Sequence, residues 1–195
     1  TGLDSFALLA IPFFVLSGEL MNKGGIAHRL IAFAKTLVGS FPGGLALINV
    51  IAAMLMGAIA GSAMASASAM GIIPPSNVLI VYSLASGGAS IAALFLAGYI
   101  PGIMTGLFLM IVASFWAKKK KYKVGKRSSL KEVGKTFIDA LPSLFMLVVV
   151  IGGIVTGIFT ATEASAIAVL YSLILGFIYK EITLPKLPQI LLDSS

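Results

Sequence analysis

Between Ile91 and Ala117 the chain runs for 27 residues without one charged side chain. As a helix, such a run rises about 40 Å, more than the roughly 30 Å hydrocarbon thickness of a bilayer. Composition points the same way. Hydrophobic residues make up 58% and charged residues 11%, with a mean hydropathy of +1.05, whereas soluble domains carry about 25% charged residues. So few polar side chains cannot cover a water-facing surface. The same composition excludes disorder, and the absence of cysteine excludes a disulfide scaffold. The solvent for most of this chain is lipid, and the expected fold is an all-α integral membrane protein with several spans.

The net charge of +7 is unevenly spread. Nine of the fourteen Lys and Arg residues fall between Lys118 and Lys135, directly after the longest apolar run. That position suits a cytoplasmic loop under the positive-inside rule, so no nucleic-acid partner is expected. The chain opens Thr1-Gly2-Leu3 with no charged n-region or cleavage site. No signal peptide is expected, and a start within a longer protein is.

Hydropathy divides the chain into segments. Ser5–Met21 is apolar enough to span, with Pro12 as a local break. Over Ile26–Val38 the apolar residues Ile26, Leu30, Phe33 and Leu37 recur on one helical stripe, while His28, Arg29 and Lys35 lie off it. This predicts an amphipathic helix lying in the membrane interface and ended by Phe41-Pro42-Gly43-Gly44. Residues 1–42 therefore read as a span plus an interfacial arm, and 43–90 as a unit broken in two places. Leu45–Ala60 is apolar and runs into the small-residue stretch Gly61–Gly71, which suits close helix packing. Pro74-Pro75 then interrupts the chain ahead of Val78–Leu84. Ile91–Ala117 is a span with a bend expected at Pro101-Gly102, and 118–139 is the basic loop. Within 140–179, Leu141–Phe159 and Ala164–Tyr179 cross again, with a capping box at Thr160–Glu163. Lys180–Ser195 is an interfacial segment leading onward.

Charge also constrains the path of the chain. If Leu45–Gly71 is a re-entrant hairpin, every basic cluster falls on the cytoplasmic side; if it is a full span, the nine-charge loop falls outside. A hairpin tip at Ser62 lies about 15 Å deep and needs roughly ten residues for each leg. Only eleven residues separate Ser62 from Pro74. A segment is therefore expected to be missing near Gly71–Ile72.

Several motifs resemble one family. They are Ile11-Pro12-Phe13-Phe14-Val15-Leu16-Ser17-Gly18-Glu19-Leu20-Met21, Gly43-Gly44-Leu45-Ala46-Leu47-Ile48-Asn49-Val50, and Gly61-Ser62-Ala63. Ile72-Ile73-Pro74-Pro75-Ser76, Phe95-Leu96-Ala97-Gly98-Tyr99-Ile100-Pro101-Gly102 and Gly157-Ile158-Phe159-Thr160-Ala161-Thr162-Glu163-Ala164 complete the set. Together they resemble the N-terminal half of the large membrane subunit of TRAP (tripartite ATP-independent periplasmic) transporters, most closely the sialic-acid type. The family's return leg of the hairpin and first half of its broken helix have no counterpart here.

The resemblance implies an elevator-type carrier in the bacterial inner membrane, importing an organic acid such as sialic acid by sodium symport. It also implies two protein partners, a small membrane subunit and a periplasmic substrate-binding protein. Unwound helix ends supply carbonyl oxygens to a cation without burying a formal charge. The expected sodium and substrate residues are accordingly Gly61, Ser62, Ala63, Pro74, Pro75, Ser76 and Asn77. Among them, Ser62, Ser76 and Asn77 offer side-chain oxygens, and free half-helix amides suit an anionic substrate. A different sodium-coupled elevator carrier and a non-transporting scaffold subunit are the alternatives. An enzyme is not expected, because one histidine, no cysteine and no Walker, GxGxxG or HExxH motif leave no catalytic constellation. Glu163 reads as a helix cap, Glu19 and His28 as interfacial residues, and Trp116 as an interfacial anchor.

Overall fold

The computed structural model describes residues 8–60, 76–122, 124–125 and 128–194. All regular structure in these residues is helical: α1 (Ala10–Lys23), α2 (Ile26–Val38), α3 (Gly44–Ala60), α4 (Asn77–Ala85), α5 (Ile91–Lys119), α6 (Leu130–Val155), α7 (Ala161–Ile178), a 3₁₀ turn (Leu184–Lys186) and α8 (Leu187–Asp193). Helices α5, α6 and α7 are long and apolar enough to cross a membrane. The chain is a multi-pass membrane protein.

The described part of the first apolar segment is α1. Pro12 has no N–H for the Leu8 carbonyl, and regular helix begins at Ala10 while Leu9 keeps helical dihedrals (φ −64°, ψ −22°). The expected break thus falls one turn before the proline. Two glycines then redirect the chain into α2, with Gly25 at φ +73°, a conformation that L side chains avoid.

The amphipathic helix α2 has the expected bounds, but its apolar stripe is not turned wholly to lipid. Ile26, Leu30 and Ala34 are fully buried, packed against α3 and α6. The Phe33 and Phe137 rings meet at 5.5 Å, and the Thr36 and Thr136 hydroxyls at 3.0 Å. Only the flank bearing Ile31 and Leu37 is exposed. α2 braces α3 against α6 because a stripe more than 100° wide can serve two neighbours at once.

The densest core lies where α1, α6 and α7 meet. Phe14, Met146, Val150, Ala164 and Ala168 are buried together. Small residues on α7 let α1 approach closely, as is usual between helices in lipid. The buried Ser17 and Ser172 hydroxyls lie 3.3 Å apart, and Ser172 reaches the Met146 sulfur at 3.5 Å. These contacts satisfy hydroxyls that would otherwise be costly in an apolar interior.

Helix α5 continues as helix through Pro101. Gly98, Gly102 and Gly106 are buried at four-residue spacing, and a Cβ on Gly106 would strike Met54 of α3. One expectation changes at α6, which starts at Leu130, well inside the segment read as loop. Ser129 and Glu132 form a capping box there: Ser129 Oγ accepts from the Lys131 N–H at 3.2 Å, and Glu132 Oε2 accepts from the Ser129 N–H at 3.3 Å. Two satisfied amides initiate a helix ahead of the apolar run.

The helix ends sort by charge. Lys23, Thr136 and Glu181 line one cavity, so the end of α1, the start of α6 and the end of α7 share one side. A Cβ on Gly125 would meet the Gly39 carbonyl, and one on Gly43 would meet Ala117, which adds the end of α2, the start of α3 and the end of α5. Every Lys and Arg among the described residues belongs to segments 23–35, 118–135 and 180–186 on this side. The turns at 86–90 and 156–160 lie at the opposite helix ends. The positive-inside rule assigns the basic side to the cytoplasm. Lys120→Cys should therefore react with an impermeant maleimide only after spheroplasts are permeabilised, whereas Ser86→Cys should react in intact ones. The reverse pattern would invert the topology.

Candidate functional site

Of the seven residues expected to hold ion and substrate, Gly61, Ser62, Ala63, Pro74 and Pro75 lie outside the described residues. So does the small-residue stretch to Gly71. Ser76 and Asn77 are described, and both sit where a chain leaves extended backbone and enters a helix. Ser76 has φ −130° and ψ 125° and is 1% exposed. Its carbonyl accepts the first helical bond, from the Ile80 N–H at 3.1 Å, but its side chain does not cap the helix. The first-turn amides of α4 therefore lack an intrahelical partner, and the turn carries no acidic residue.

Depth follows from helix length. The nine residues of α4 rise about 13 Å from Asn77 to the turn at Ser86–Ser90, about half the roughly 30 Å hydrocarbon thickness of a bilayer. That turn is tied down where the Ser83 hydroxyl donates to the Ala89 carbonyl. Helix α3 enters from the basic side and is described as far as Ala60. Leu55 near that end shares a cluster with Leu79 and Ile80 of α4 and with Phe14 and Phe95. Both helices thus contribute residues to one apolar core.

Asn77 carries the most informative atom. Its Oδ1 is buried and has no hydrogen-bond partner among the described residues. A buried amide oxygen without a donor costs about 1–3 kcal/mol, so such atoms are found where water or a cation completes the set. A neutral oxygen suits a hard monovalent cation, and the amides of the first α4 turn suit an anion. Among the described residues no three His, Cys, Asp or Glu side chains converge.

The other singled-out residues have structural settings. Thr160 and Glu163 form the expected capping box, with Glu163 Oε2 accepting from the Thr160 N–H at 2.8 Å. Trp116 is exposed near the basic end of α5, as an interfacial anchor is. His28 and Arg29 line a cavity that sequence reading did not anticipate. The glycine stripe of α5 was also missed, although Gly98, Gly102 and Gly106 at i, i+4 and i+8 form a readable signature.

Comparison with known proteins places this geometry. The model of the tripartite ATP-independent periplasmic transporter DctM component matches residues 1–72 and 66–195. An uncharacterized protein of Salmonella typhimurium, YgiK, is 54% identical over 99% of this chain and 51% of its own length. The sialic acid TRAP transporter large permease protein SiaM of Vibrio cholerae is 39% identical over 99% of the chain and 52% of its own. The C4-dicarboxylate TRAP transporter large permease protein DctM of Pseudomonas aeruginosa is likewise 39% identical, over 98% and 52%. The chain spans about half the length of the curated relatives it matches.

The alignment with YgiK occupies 222 positions, 27 more than the chain's 195 residues. At least that many positions of the relative have no counterpart here. The two stretches matched by the family model overlap at 66–72, next to the Gly71–Ile72 junction where a missing segment is expected from the sequence. The chain belongs to the DctM component family of tripartite ATP-independent periplasmic transporters, the large permeases of these systems.

Proposed function

We propose that the carrier to which this chain belongs imports an organic acid across the bacterial inner membrane by sodium symport. Gly61, Ser62 and Ala63 at the end of α3 and Pro74, Pro75, Ser76 and Asn77 ahead of α4 form its first ion and substrate half-site. The observation that carries this reading is the buried Asn77 Oδ1, which has no hydrogen-bond partner among the described residues, at the start of α4. Broken helices near the bilayer midplane expose carbonyls to cations and amides to anions, the arrangement used by sodium-coupled carriers. In this reading Pro74 and Pro75 serve as the break, since neither supplies a backbone donor. Movement of this half-site against a framework of α1, α6 and α7 is the elevator step.

SiaM and the Pseudomonas DctM stand at equal identity to this chain, so the identities favour neither named substrate. Sialic acid is the first to test because of the Ile72-Ile73-Pro74-Pro75-Ser76-Asn77 form. A small membrane subunit braces the framework, and a periplasmic binding protein delivers substrate to the neutral turn at Ser86–Ser90.

Full-length permease, reconstituted with its small subunit and supplied with loaded binding protein, should take up substrate at least tenfold faster under an inward sodium gradient than in potassium-matched buffer. Equal uptake in both buffers overturns sodium coupling. No uptake in either buffer, with docking intact, identifies a scaffold instead.

A further inference from the structure

We propose that the cavity between the α1–α2 joint, α6 and the residues after α7 binds the zwitterionic headgroup of a phosphatidylethanolamine-type lipid. The cavity is about 550 Å³ and is lined by Lys23, His28, Arg29, Thr136, Asp139 and Glu181, among others. Both signs of charge therefore face one space, which an anion site would not need and an apolar groove would not tolerate.

The cationic side is preorganised. Arg29 Nη1 donates to the Gly25 carbonyl at 2.9 Å, and its guanidinium carbon lies 3.5 Å from the centre of the Tyr179 ring. Stacking and one hydrogen bond hold the planar group still while its other N–H donors stay available to a phosphate. The anionic side stands beside it. A Cβ on Gly25 would lie 2.8 Å from Arg29 Nη1 and 3.0 Å from Glu181 Cγ, so these two side chains flank the same glycine. Among the described residues neither Asp139 nor Glu181 makes an ion pair, and the ion pair near the cavity joins Lys23 to Asp193 instead. Arg29 and Glu181 are thus close and unpaired, as a ligand with one charge of each sign requires.

Position selects a lipid over a soluble zwitterion. The cavity lies at the basic ends of α1 and α7 and in the second and third turns of α6, where headgroups meet a span. The same helix ends carry exposed apolar side chains: Ile138, next to Asp139 in sequence, is 68% exposed, and Ile178, next to Tyr179, is 65% exposed. Acyl chains leaving the site would run along these side chains. A primary ammonium donates hydrogen bonds to carboxylates, which the quaternary ammonium of a choline headgroup cannot do.

The test titrates the purified full-length protein in detergent with short-chain phosphatidylethanolamine, phosphatidylcholine and phosphatidylglycerol of equal chain length, and with free phosphoethanolamine. Binding is read by native mass spectrometry and by the rise in Tm. Phosphatidylethanolamine should bind about tenfold more tightly than the other two lipids and than free phosphoethanolamine. Arg29→Gln and Glu181→Gln should each weaken it about tenfold, the effect of losing one charge-assisted hydrogen bond. Lys119→Gln, elsewhere on the basic side, should change nothing. Arg29→Gln also removes the Tyr179 contact, so Glu181→Gln, on an exposed segment, keeps the test valid if the arginine variant misfolds. Unchanged binding in Glu181→Gln together with equal affinity for phosphatidylglycerol would reduce the cavity to a basic surface. Free phosphoethanolamine binding as tightly as the lipid would overturn the lipid assignment.

Discussion

Replacing both Ser76 and Asn77 by alanine in the full-length permease is expected to lower the apparent sodium affinity of uptake on the order of 100-fold, while leaving docking of the binding protein intact. The magnitude follows from removing two oxygen ligands, each taken at about 1.5 kcal/mol, the lower end for a group that faces a charge. Asn77 accounts for the larger share, because its Oδ1 is buried with no donor among the described residues whereas Ser76 also shapes the backbone entry to α4. The measurement is initial uptake as a function of sodium concentration, paired with binding-protein affinity on the same preparation. Wild-type sodium dependence in the double variant would remove this loop from the ion site. The buried Asn77 oxygen would then be a place for bound water.

Gly43→Val should be the most damaging substitution to the fold outside the half-site. Gly43 has φ +78°, and a Cβ there would lie 2.9 Å from the Ala117 Cβ and 3.2 Å from the Ala113 carbonyl oxygen. The left-handed backbone costs a branched residue about 1–2 kcal/mol, and forcing α3 away from α5 adds about 1–3 kcal/mol. Together these approach a large fraction of the roughly 5–15 kcal/mol that stabilises an ordinary domain. Gly87→Val is the matched control, because φ is +85° but nothing lies within 4 Å of the added carbon. The expected result is loss of monodisperse protein for Gly43→Val and a drop of only a few degrees in Tm for Gly87→Val. Equal loss in both variants would show that backbone strain alone matters and the α3–α5 contact does not.

These two sites mark what could and could not be read in advance. Helix identity is a local property. The apolar run Ile91–Ala117, the 3.6-residue stripe over Ile26–Val38 and the box Thr160–Glu163 each announce themselves within one segment, and each appears in the structure. The start of α6 was equally local but overlooked, because the basic residues around Ser129 and Glu132 draw attention to charge and away from capping. Sidedness was also legible, since lysine and arginine placement is a sum over segments and needs no knowledge of packing.

The partners of each face were not legible. The stripe of α2 had the right period for lipid, yet its middle residues are covered by α3 and α6, whose complementary side chains lie as much as a hundred residues away in sequence. Arg29 read as a polar flank residue, and only the return of the chain at Tyr179–Glu181 puts a ring beneath it and a carboxylate beside it. Asn77 was picked for its oxygen, but that this oxygen is buried and has no donor among the described residues depends on how α4 packs in the fold. By itself the sequence determined that the chain is helical, lives in lipid, and keeps its cations on one side, because hydropathy, periodicity and charge are properties of short segments. Only the tertiary structure decided which faces meet, which glycines must stay bare and which polar atoms lack a partner, because those depend on side-chain volumes brought together from distant segments.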